Sequence, residues 1–105
     1  MLATYSDLEV STIRRTVDSA VASGDVARAI ELGESLAIRG QASAETLLNL
    51  AKAHTGAGTL RVAAAHLRHA LESADSSRDA AVIAEGCHWA SSELMPRMRA
   101  AGLVR

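Results

Sequence analysis

The stretch AETLLNLAKAHTGAGTLRVAAAHLRHALESA, Ala44 to Ala74, reads as two short helices folded back on each other around Gly56-Ala57-Gly58. In its first half Leu47, Leu50, Ala51 and His54 recur at spacings of three and four, which is one face of an α-helix. In its second half Leu60, Ala63, Ala64, Leu67, Ala70 and Leu71 do the same. Gly56 is expected to take positive φ and close the first helix, and Thr59 to cap the second. So short a connection forces the two helices antiparallel. The facing stripes are mostly Ala and Leu, so the backbones approach closely where Ala meets Ala.

The pattern also occurs upstream. Gly24 precedes Gly58 by 34 residues. At the same offset Ile13 matches Leu47, Val17 matches Ala51, Val26 matches Leu60, Ala29 matches Ala63, Gly33 matches Leu67 and Leu36 matches Ala70. A period near 34 residues built from helix–turn–helix units is the tetratricopeptide spacing. The second unit resembles that family through Leu47, Leu50, Ala51, His54, Gly58, Ala63, Leu67, Ala70 and Leu71. The first unit departs from it, with Thr16 where a large apolar residue is usual and Gly33 where an aromatic is usual. Neither unit carries the proline that often ends one; Asp75-Ser76-Ser77 stands there in the second. The expected fold is all-α, antiparallel helical hairpins stacked as a short tetratricopeptide-like superhelix. It is one domain over residues 1–105, with repeats over about 10–43 and 44–77 and a degenerate third repeat with its cap over 78–105. Five to six helices follow from that reading.

A chain of 105 residues makes one domain, and at this size it buries about 65% of its unfolded surface. The net charge of −1 gives no basic face for nucleic acid; Arg14-Arg15 and the tail from Arg97 to Arg105 are local exceptions. One cysteine makes no internal disulfide, so a reducing compartment is expected. The start MLATYSDLEV has neither a basic region nor an apolar run and does not read as a secretory signal. No apolar run approaches the roughly 20 residues that span a bilayer. A cytoplasmic protein is expected, with no membrane and no nucleic-acid partner. The chain has no Phe, one Tyr and one Trp, so Ala and Leu replace the aromatics on which helical repeats usually pack. Aromatics bury about 150–250 Å² each, and their absence predicts a thin core and marginal stability without a partner or a second copy.

Taken in order, residues 1–5 are expected to fray. Ser6-Asp7-Leu8-Glu9 is a capping box. The first helix then runs to about Ser23 with Val10, Ile13, Val17, Ala20 and Val21 inward. Asp25 caps the second helix, which turns Val26, Ala29, Ile30, Gly33 and Leu36 inward and stops at Gly40. Arg39 near its end suits the helix dipole. Ser43 caps the third. A fifth helix over about Asp79 to Leu94 has two registers open, one through Ile83 and Cys87 and one through Val82, Gly86 and Trp89. Pro96 predicts a break after Met95, then a short helix ended by Gly102. The basic tail reads as the solvating cap of a helical array.

No catalytic constellation is present. His66 and His69 share a helical face, but no third ligand has fitting spacing, although His54, Cys87 and His88 could approach in space. Neither metal nor cofactor is expected. Cys87 and His88 are adjacent on a helix and point about 100° apart, so they make no nucleophile–base pair; Cys87 reads as a small core residue. Gly56-Ala57-Gly58 follows no strand and is a turn.

The resemblance implies a non-enzymatic adaptor or chaperone whose concave face, lined by the first helix of each repeat, holds a helical or extended segment of a partner protein. On this sequence those positions are Arg14 and Asp18, then Leu48, Asn49, Lys52 and Thr55. Asn49 matches one position of the clamp with which some family members hold a terminal carboxylate. Asp18 stands where a second Asn belongs and would repel that carboxylate. Small bacterial secretion chaperones look like this chain, which makes a secretion-system subunit one expected partner. A self-associating helical protein, closing its apolar face on a second copy, is the alternative, and a small all-α enzyme stands behind both.

Overall fold

The structure is a computed structural model, and it describes residues 3–104. Among them the regular elements are all helical: α1 (Asp7–Ser23), α2 (Val26–Ala37), α3 (Ala44–Ala57), α4 (Leu60–Ser73), α5 (Ala80–Trp89), a π-helical turn (Ala90–Leu94) and α6 (Met95–Ala100). The all-α expectation holds. No helix is long and apolar enough to cross a membrane among the described residues.

The first three helices start where local chemistry says they should. The Ser6 hydroxyl accepts from Glu9 N, and the Glu9 carboxylate accepts in return from Ser6 N. Asp25 accepts from Arg28 N, and Ser43 accepts from Thr46 N. Both hairpin turns close on a glycine with positive φ, Gly24 at 79° and Gly58 at 83°. The turn glycine of the second hairpin is therefore Gly58 and not Gly56, which lies inside α3. The Gly58 and Thr59 amides reach back to Thr55 and His54 carbonyls, which needs the left-handed residue two positions later than expected.

α3 is the axis of the molecule, in contact with α1, α2, α4 and α5. Ten of its fourteen residues are buried, so it is covered nearly all round and not on a single stripe. The core gathers Leu47, Leu48, Leu50 and Ala51 from α3 with Leu60, Ala63, Leu67 and Ala70 from α4, and Leu94 and Met98 close it from the C-terminal side. Val17, Leu36, Leu47 and Leu50 are its largest fully enclosed side chains. The polar residues that α3 buries are satisfied: among the described residues no buried side-chain nitrogen or oxygen lacks a partner.

Three local expectations change. Residues 3–5 are held rather than loose: Tyr5 N donates to Gln41 Oε1, Gln41 Nε2 donates to Tyr5 O, and the Tyr5 ring lies 4.4 Å under the Arg39 guanidinium. Fraying of residues 1–2 lies outside the described residues. On α5 the register through Gly86 wins. Gly86 is buried against Leu67 and Leu71, Val82 and Trp89 are half-buried, and Cys87 is exposed, not a core residue. Finally, the chain does not break at Pro96. The π turn runs straight into α6, and the Met95 amide bonds back five residues to Ala90 O. Proline lacks the N–H a regular helix needs and clashes with the preceding turn. The widened turn relieves both demands.

Candidate functional site

The six residues expected to line a concave face divide in the structure. α1 lies beside α3 on one flank and α5 on the other. Leu48 and Thr55 are enclosed between them at 2% and 3% exposure, and Asn49 is buried as well. The Thr55 hydroxyl donates to Ala51 O and accepts from Trp89 Nε1 at 3.3 Å. The Asn49 amide donates to Asp18 Oδ1 at 2.6 Å, which ties α1 to α3. Lys52 pairs with Glu85 and sits 5.5 Å over the Trp89 ring. Burial pulls the Lys52 ammonium below its usual pKa, and Glu45 partly opposes this. Arg14 is exposed and donates to Gln41 O. Leu48, Asn49 and Thr55 thus hold the helices together, while Arg14, Asp18 and Lys52 keep surface. Expecting all six to face water took α3 for a one-sided helix, which it is not.

A second feature lies along α4. α4, the π turn and α6 enclose an open apolar groove of about 480 Å³, with Leu67, Leu71, Leu94, Met95 and Met98 among its walls. Arg68 and Glu72 stand on its edge, 3.7 Å apart as an exposed i,i+4 pair. The tail read as a solvating cap therefore turns Met98 inward beside Leu94, which ends the stripe expected on the fifth helix, and both are buried. The four-residue spacing from Leu94 to Met98 was visible in the sequence, but Pro96 between them argued for a break.

A polar cluster joins three helices. Glu34 of α2 places Oε1 3.0 Å from His54 Nε2 of α3 and 2.5 Å from His66 Nε2 of α4. The two imidazoles stack with centroids 5.5 Å apart and planes 26° apart. On its far side His54 Nδ1 lies 2.6 Å from Thr59 Oγ1. Both rings are largely buried, whereas the Glu34 side chain is 39% exposed. Burial pushes the Glu34 carboxyl up, but the hydrogen bonds and charge of the two histidines outweigh it and hold the pKa below the usual carboxylate value. His69, the partner that spacing suggested for His66, is exposed, as are Cys87 and His88. His66 meets His54 instead, because antiparallel helices around Gly58 bring those positions opposite each other. Glu34 gave no sequence signal, since its place depends on how α2 packs across α3.

No family model matches the chain, and no curated protein or solved structure matches it either.

Proposed function

We propose that this chain is a non-enzymatic protein-binding adaptor or chaperone of tetratricopeptide-like build, working in the cytoplasm, and that it holds an amphipathic helix of a partner protein. The repeat supports the build. Gly24 and Gly58 are both left-handed turn residues. Val26 and Leu60 both open the second helix of a hairpin, and the pairs Val17 with Ala51, Ala29 with Ala63 and Leu36 with Ala70 are all buried.

The observation that carries the binding role is the groove between α4 and α6. Its walls are apolar, and methionines, which adapt to irregular partners, form one side. Helix fits it better than strand. Helical segments wall the groove, their backbone groups are bonded internally, and among the described residues no sheet edge is offered for strand addition. The exposed Arg68–Glu72 rim suits a segment with charges flanking an apolar stripe. The expected concave face contributes less, because half its residues serve internal packing.

Selection from a library of displayed amphipathic-helix peptides tests this reading. Binders should emerge that lose affinity at least about tenfold to Met95→Glu while the far-UV circular dichroism is unchanged. Absence of binders, or binders indifferent to Met95→Glu, refutes it. A concentration-dependent dimer that Met95→Glu dissociates favours self-association through the same groove.

A further inference from the structure

We propose that Glu34, His54 and His66 form a three-ligand site for a divalent first-row transition-metal ion, with zinc the ion that best fits the donor set. The three side chains come from α2, α3 and α4 and bring one ligand atom each to within 4.8 Å of one another. Two imidazole nitrogens and one carboxylate oxygen are a familiar zinc donor set in which a fourth position stays open to water. Imidazole also selects zinc and its neighbours over magnesium or calcium, which prefer all-oxygen shells. The exposed flank of Glu34 supplies the open side.

The second observation is Thr59. Ser6, Asp25 and Ser43 all cap their helices, but Thr59, at the start of α4, makes no capping bond. Forgoing a cap costs about 1 kcal/mol. Its hydroxyl instead lies 2.6 Å from His54 Nδ1 and 3.2 Å from the His54 carbonyl. With the hydroxyl proton on the carbonyl, Thr59 Oγ1 accepts from Nδ1–H. Nε2 hydrogen-bonds Glu34 Oε1, and a cation bound between them would displace the proton of that bond. A hydrogen-bonded group on the outer nitrogen is how metal-binding histidines are held in the right tautomer.

The geometry needs little adjustment. Zinc bonds near 2.0–2.1 Å in a tetrahedral shell set ligand atoms about 3.4 Å apart. His54 Nε2 and Glu34 Oε1 are already 3.0 Å apart, and His66 Nε2 at 2.5 Å from that oxygen must open by about 0.9 Å. Rotation of the half-exposed Glu34 side chain provides this. Bound there, the ion would clip the first hairpin to the second through α2, α3 and α4.

Calorimetric titration of the full chain with zinc, paired with optical titration by cobalt(II), tests the site. One equivalent of zinc is expected, with cobalt giving the intense visible bands of a low-coordinate centre. Glu34→Gln and His66→Ala, both folded by circular dichroism, should each weaken zinc at least about tenfold, and His69→Ala and His88→Ala should leave it unchanged. His54 is more deeply buried, so those two ligand variants carry the test. Failure to bind one equivalent, unchanged affinity in Glu34→Gln and His66→Ala, or loss of affinity in His69→Ala or His88→Ala would each overturn the proposal.

Discussion

A Cβ on Gly33 would lie 2.6 Å from Leu50 Cδ2 and 2.7 Å from Leu50 Cγ, so the Leu50 side chain of α3 packs directly onto the α2 backbone at this glycine. Gly33 is buried, and Leu50 is fully enclosed against it. The Leu50 side chain from the neighbouring helix fills the space over this glycine. Gly33→Ala should gain helix propensity of about 1 kcal/mol and lose more to overpacking, for a net destabilisation of about 1–2 kcal/mol. Leu50→Ala alone should cost about 2–5 kcal/mol. The double variant should cost less than the sum by at least about 0.5 kcal/mol, because each change relieves the other. Urea denaturation of the four proteins gives the answer, and strict additivity would contradict the close approach.

The two glycines of the α3–α4 turn should respond oppositely to alanine. Gly58 has φ of 83°, a conformation that costs a side chain, and Gly58→Ala should lose about 1 kcal/mol. Gly56 is helical, and a Cβ there would meet Val26 Cγ2 at an ordinary 3.6 Å. Gly56→Ala should therefore gain about 0.5–1 kcal/mol. Thermal melts of the two variants would separate these outcomes.

Trp89 is the chain's one tryptophan and donates to Thr55 Oγ1, so its fluorescence reports on the α3–α5 contact. Thr55→Val keeps the volume and removes the acceptor. The expected cost is about 1 kcal/mol, together with an altered emission maximum. A spectrum identical to that of the parent protein would show that the indole N–H is not engaged at this position.

The turn before α5 gives a pH dependence. Asp75 accepts from the Ser77 hydroxyl and from the Ser77 and Arg78 amides, and these bonds, the Ser77 hydroxyl first, hold its carboxyl at about 2, against an ordinary 3.8. A depressed folded pKa adds stability above the unfolded value and loses it as pH falls through the folded one. The melting-temperature gap between the parent protein and Asp75→Ala should be full above about pH 5 and shrink between about pH 4 and pH 2. The group is fully exposed, so the gap should be small and should persist in high salt because hydrogen bonds carry it. A gap that widened with acid would contradict the assignment.

What the sequence revealed was local, and what it hid was tertiary. Ser6, Asp25 and Ser43 act on amides three residues away, and all three caps were readable. The inward faces of α1 and α2 followed from spacing alone. Leu48, Asn49 and Thr55 read as surface because nothing in α3 itself says that helices flank it on both sides. Thr59 sits where a cap belongs, yet its hydroxyl goes to His54, a choice made by the side-chain cluster and not by the helix start. Glu34 is an unremarked acid in α2 until α3 and α4 bring two histidines to it. Pro96 was read correctly as incompatible with a regular helix, but a wider turn answered it where a break was expected.

That wider turn sets the phase of the last segment of the chain. One residue more than the helical repeat requires turns everything downstream by about 100°. Leu94 and Met98 owe their inward aim to that rotation, so the hollow on this end of the molecule depends on a phase change of one position.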